Sequence, residues 1–210
     1  MLLAIGISLL LTFSFIIVQS ILKVVTRVDV EKSTIIFWGM TVIVVSVISL
    51  WCGKQYIYKI PERVMPVMTL FFIVAIVNVF LAQRSGYRPI GIYDTIHFCL
   101  TYPLLEEMVF RGLVLPLLSS SLPTSSSLTI MGLSVTPAVL ITAFLFAICH
   151  LQYYRLSRMS IRFMLFAFFG GIFFGIIADH THSILLPLML HIEFNVLSVY
   201  FSRRRMSVGS

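Results

Sequence analysis

Apolar runs broken by short polar stretches organise the chain. Hydrophobic segments fall near 2–22, 35–52, 64–82, 95–118, 134–152, 162–178 and 183–201, about the length that a helix needs to cross the hydrocarbon core of a bilayer. Helix is the expected form, because a backbone in lipid has no water to bond and must pair its own N–H and C=O groups. The pattern predicts an all-α integral membrane protein, a bundle of about seven transmembrane helices. The fourth segment departs from the rest. Asp94, His97, Glu106, Glu107 and Arg111 make it costly against lipid, so it is expected inside the bundle, around an intramembrane polar site.

No internal repeat, heptad run or soluble domain interrupts this pattern. Residues 1–94 read as three N-terminal helices that carry no diagnostic chemistry, 95–201 as a helical core that holds the polar residues, and 202–210 as a basic tail. Leu2 to Leu22 lacks the basic start and small-residue cleavage site of a signal peptide and is expected to be retained. Ser119 to Ser127, serine-rich with Pro123, is too polar to continue a span and reads as an exterior loop. Gly171 and Gly175 form a small-xxx-small pair suited to close helix contact.

Composition agrees: 59% of residues are hydrophobic, 11% are charged, and mean hydropathy is +1.04, more apolar surface than one soluble core can bury. The net charge of +7 would suggest nucleic acid in a soluble chain. Here the positive residues lie in inter-helix loops and at the C-terminus, so the expected partner is membrane lipid and not nucleic acid. Eleven Lys and Arg fall on the side of the 23–34, 83–94 and 153–161 loops and the tail, against Lys54, Lys59 and Arg63 opposite. The positive-inside rule then predicts a multi-pass protein of the cell membrane, N-terminus outside and C-terminus cytoplasmic. Arg203, Arg204 and Arg205 are expected to anchor the tail to anionic lipid. Cys52, Cys99 and Cys149 lie far apart in apolar segments and read as thiols. Nothing in the sequence speaks to oligomeric state.

Chemistry concentrates in three places. In the first, Glu107 and Arg111 stand at i and i+4 with the acid N-terminal, the favourable order for an ion pair. Glu106 points about 100° away and has no local cation, which suits a general base or a metal ligand. The second is His150, at the end of the fifth segment. The third is His191 with Asn195, on one helical face at i and i+4, with Glu193 off that face. A carboxylate that activates water beside neutral hydrogen-bonding groups is the equipment of hydrolysis at a carbonyl. Two chemistries fit these residues. Zn2+ held by Glu106, His150 and His191 would keep one position open for water. Without a metal, Glu106 and His150 would deprotonate water while His191 and Asn195 hold the oxyanion. Pro103 and Pro187, each one turn before a site residue, are placed to bend their helices.

The order Glu-Glu-x-x-x-Arg, Phe-x-x-x-His and His-x-x-x-Asn in successive apolar segments resembles the CPBP family, the CAAX proteases and bacteriocin-processing enzymes, also called the Abi family. The likeness extends over about 95–201 and includes the lead-in Thr181-His182-Ser183-Ile184-Leu185-Leu186-Pro187. It implies that Glu106, Glu107, Arg111, His150, His191 and Asn195 occupy the motif positions, with Glu106 activating water. It also implies an intramembrane endopeptidase acting on a peptide or lipid-modified protein, of CAAX or bacteriocin-leader type. A non-catalytic immunity or scaffold protein on the same fold is the alternative, and a proton-coupled carrier a third reading.

Overall fold

A computed structural model describes residues 1–26, 31–53, 55–85, 87, 89–123, 128–152 and 155–207. Residues 124–127 of the serine-rich stretch, and Arg27, Lys54 and Arg88 of the charge count, lie outside the described residues. The described residues are all-α apart from one short hairpin. Helices α1 (Leu2–Thr12) and α2 (Ser14–Thr26) meet at a 60° bend, followed by α3 (Glu31–Cys52) and α4 (Met65–Ser85). A continuous rod over 91–119 comes next. It consists of α5 (Gly91–Ile96), a π-helical segment His97–Thr101, α6 (Tyr102–Glu107), a second π-helical segment Met108–Val114, and α7 (Leu115–Ser119). Strands β1 (Thr129–Ile130) and β2 (Leu133–Ser134) pair antiparallel, Thr129 with Ser134 and Ile130 with Leu133. Their two-residue turn places Met131 at φ 53° and Gly132 at φ 80°, the positive values that such a tight hairpin requires. Helix α8 (Pro137–Cys149) ends in a 3₁₀ turn, His150–Gln152, before α9 (Arg158–Thr181) and α10 (Leu185–Ser207).

Among the described residues, four helices can cross a membrane by length and composition, Ser33–Trp51, Met65–Ser85, Arg158–Thr181 and Leu185–Arg205, or five if the bent α1–α2 pair is one span. The expected count of seven is not confirmed. The difference lies in two segments: the rod, broken by π-helical stretches and carrying charge, and Pro137–Gln152, which is too short. The apolar faces still point outward. On α4, Val67, Leu70, Val74, Asn78 and Ala82 are buried, while Phe72, Ile73, Ile76, Val77 and Phe80 are exposed. That distribution suits a lipid-facing helix with its amide turned inward.

The rod runs through the middle, packed by α1, α3, α8, α9 and α10, and every residue of its second π-helical segment is buried. Helix α9 lies close on α8. A Cβ on Gly171 would stand 3.2 Å from the Ala143 Cα, and one on Gly175 would stand 3.0 Å from Val139 Cγ1. Three side-chain or loop contacts then fix the rod's surroundings. The loop after α3 folds inward, with Gln55, Tyr56 and Ile57 buried, so that Tyr56 N–H donates to the Gly112 carbonyl at 3.0 Å. That carbonyl is available because Pro116, its partner in an α-helix, has no N–H. The same loop ties down the α9–α10 corner: Ser183 Oγ donates to the Lys59 carbonyl at 2.6 Å and Glu62 N–H to that of Thr181 at 2.9 Å. At the α1–α2 bend the Gln152 amide stands between Thr12 and Ile16, donating to the Thr12 carbonyl at 2.8 Å and accepting from Ile16 N–H at 3.0 Å. These two groups would bond each other in an unbroken helix, so an inserted side chain accounts for the bend.

Candidate functional site

The rod carries Glu106 and Glu107 at the end of α6, between the two π-helical segments. In these segments the backbone bonds reach five residues back, Tyr102 N–H to the His97 carbonyl and Leu115 N–H to that of Phe110. Such widened turns recur at functional sites, because they release carbonyls and re-aim side chains. Here the release is specific. Counting five on from Phe98 reaches Pro103, which has no N–H, so the Phe98 carbonyl is without a helical donor. Asn195 Nδ2 donates to it at 2.7 Å. One hydrogen of the Asn195 amide is thereby committed, and the other remains for a ligand. Pro187, by contrast, lies in the first turn of α10, where a missing N–H disturbs little.

Glu107 and Arg111 have no exposed surface, and Arg111 Nη1 donates to Glu107 Oε1 at 3.1 Å. The guanidinium also lies over two rings, 4.3 Å from the Phe146 centroid and 5.5 Å from that of Phe174, so attraction to the ring faces supplements its one carboxylate. Gly171 makes room for it, since a Cβ there would stand 3.4 Å from Arg111 Nη2. Glu107 Oε1 accepts a second hydrogen bond, from His191 Nδ1 at 2.9 Å. With that nitrogen the donor, Nε2 of the His191 ring faces Glu106 Oε2, 3.7 Å away. Glu106 differs from its neighbour in being reachable: its side chain retains 11% exposure and that of His191 13%.

His150 stands beside this group without an ion pair to either glutamate among the described residues. Its Nδ1 bonds the Phe146 carbonyl at 2.9 Å, closing the C-terminal end of its own helix, and Nε2 is left for other partners. The Phe146 ring links the two histidines, edge-on to His150 at 5.2 Å and to His191 at 6.2 Å. Cys149 lies 3.7 Å from His150 Nδ1. It is buried and donates to the Phe146 carbonyl at 3.0 Å, a partnership that does not activate a thiol. Cys99 and Cys149 are both free.

The fold thus brings Glu106, Glu107, Arg111 and His191 into one connected group, with His150 joined through Phe146 and Asn195 through the main chain of Phe98. No three His, Cys, Asp or Glu side chains gather among the described residues closely enough to hold a metal ion. Sequence reasoning missed the rings that sandwich Arg111 and the part of the Phe98 carbonyl. The first had a signal in the Phe-x-x-x-His spacing, and the second in Pro103.

A family model for the type II CAAX prenyl endopeptidase Rce1-like proteins matches residues 88–197. That stretch includes the whole rod, α8, α9 and, on α10, His191 and Asn195. No curated protein and no solved structure matches the chain. Since the match takes in more than half of the chain and all six residues gathered above, the chain belongs to the Rce1-like family of type II CAAX prenyl endopeptidases.

Proposed function

We propose that the protein is an intramembrane endopeptidase that cleaves a prenylated or otherwise membrane-associated protein of CAAX type, with Glu106 activating the attacking water. One observation carries this reading: the Glu106 carboxylate, partly exposed, faces the free nitrogen of His191 across 3.7 Å. That gap is too long for a direct hydrogen bond and suits a water at about 2.8 Å from each group.

In the proposed sequence Glu106 takes a proton from this water while its oxygen attacks the scissile carbonyl carbon. Glu107 holds the His191 ring in the tautomer that offers Nε2 to the water, and Arg111 holds the Glu107 carboxylate in place. His150, whose Nδ1 bonds the Phe146 carbonyl, is assigned to accept a hydrogen bond at Nε2 from the Glu106 carboxyl once that group holds the proton. The remaining Asn195 hydrogen donates to the oxyanion as the carbonyl becomes tetrahedral. Collapse breaks the C–N bond, and the proton on Glu106 passes to the departing amine. Zinc held by Glu106, His150 and His191 is the other chemistry the sequence allows. The described residues do not assemble that donor set. Metal analysis of the purified chain, with activity measured before and after chelation, tests the choice.

The direct test uses a farnesylated peptide ending in a CAAX sequence. Glu106→Gln is expected to lower kcat by about 10²–10⁴, the usual worth of a general base, with membrane abundance unchanged. A peptide cleaved equally well by Glu106→Gln overturns the assignment. If wild type and this variant show the same biological effect without cleavage, the immunity or scaffold reading takes its place.

A further inference from the structure

Helix α10 has two polar faces. His191 and Asn195 turn to the rod, while one residue earlier and two residues later the Leu190 carbonyl and Glu193 turn to α4. There they meet Asn78, buried in the middle of its span. Asn78 Nδ2 donates to the Leu190 carbonyl at 3.0 Å and to Glu193 Oε2 at 3.2 Å. An amide nitrogen has two hydrogens, so both are committed to α10. We infer that Asn78 is a positioning residue of the site, holding α10 in the one axial rotation that points His191 at Glu106 and Glu107.

The argument rests on cost and geometry. A mid-span amide loses hydration, so it is retained in an apolar helix only where partners repay it. Its two acceptors are three residues apart on α10, one turn of the helix, and an axial turn of α10 that carried His191 away would break both bonds. The Leu190 carbonyl belongs to the peptide group next to His191, so the clamp acts on the backbone from which the imidazole projects. Helix α4 packs along α10, and apolar contacts by themselves fix axial rotation weakly.

This inference rests on the peptidase reading, and its test separates the two. The full chain, purified in detergent and given the farnesylated CAAX peptide, is expected to lose about 10- to 100-fold in kcat as Asn78→Leu, the range for a displaced catalytic group. KM and the melting temperature stay near wild type. Glu193→Gln keeps an acceptor oxygen opposite Asn78 and is expected to retain wild-type kcat. An independent readout is the ring-nitrogen resonances of His191, identified by their disappearance in His191→Gln. They are expected to shift in Asn78→Leu and to stay in place in Glu193→Gln. An unmoved His191 signal in Asn78→Leu overturns the inference, whether or not the protein cleaves anything. So does a loss of rate that only follows loss of folded protein. A wild-type chain that cleaves nothing, but whose His191 signal moves in Asn78→Leu, sinks the peptidase reading and keeps the clamp.

Discussion

Two adjacent glutamates do different work because of what surrounds them. Glu107 is sealed in with Arg111 and anchors His191, whereas the Glu106 side chain keeps some exposed surface and has no Lys or Arg partner among the described residues. Removing the carboxylate as Glu107→Leu leaves a guanidinium buried against two rings without its counter-charge. This is expected to cost about 3–5 kcal/mol, as breaking other buried pairs does, and to appear as a large fall in melting temperature. Glu106→Gln is expected to melt near wild type although inactive; equal destabilisation by the two changes would argue against this division of labour. Gly171→Ala places a methyl between the Ala143 backbone and the Arg111 guanidinium and is expected to destabilise by about 1–3 kcal/mol. At this scale the sequence was informative where charge is expensive: Glu106, Glu107, Arg111 and His191 stand out because lipid makes their presence conspicuous. Asn78 gave the same kind of signal more faintly. The part of Phe98 is played by its carbonyl, which every residue has, and only the proline five residues on hinted that it would be free.

Among the elements, the rod was legible as an interior segment from its charges, but its two π-helical stretches were not. Their cause is partly tertiary: each precedes or contains a carbonyl that a proline leaves unpaired and a distant donor claims, Asn195 at one end and Tyr56 N–H at the other. Hydropathy does not reveal the inturned loop after α3, in which Gln55 Oε1 takes the N–H groups of Ile57 and Tyr58, at 2.6 Å and 3.1 Å, and so allows a buried turn. Gly112 is the meeting point, for a Cβ there would run into the Ile57 side chain. Gly112→Ala is expected to lower stability by about 1–3 kcal/mol, and Ile57→Ala in the same chain to recover part of that loss. A Gly112→Ala protein as stable as wild type would mean that the loop moves aside freely.

For the whole molecule, the apolar runs announced a helical membrane bundle, but not how many of its helices span. Length alone cannot show that the first segment is bent or that the rod and α8 are short for a crossing. The orientation we propose, N-terminus outside and C-terminus cytoplasmic, follows from charge. A cysteine introduced at Ser202 should therefore react with a membrane-impermeant thiol reagent only after the cytoplasmic face is opened; reaction from outside would reverse the assignment. The family match begins at residue 88, yet the segment before it is tied to the site, because the amide inserted at the α1–α2 bend is that of Gln152, two residues past His150. A straight span answers a thinner bilayer by tilting as a whole. A kneed one has an angle to change, and here the kneecap is fastened to the histidine turn. Turnover in vesicles of graded acyl length should accordingly follow membrane thickness, and Gln152→Leu should make the enzyme indifferent to it.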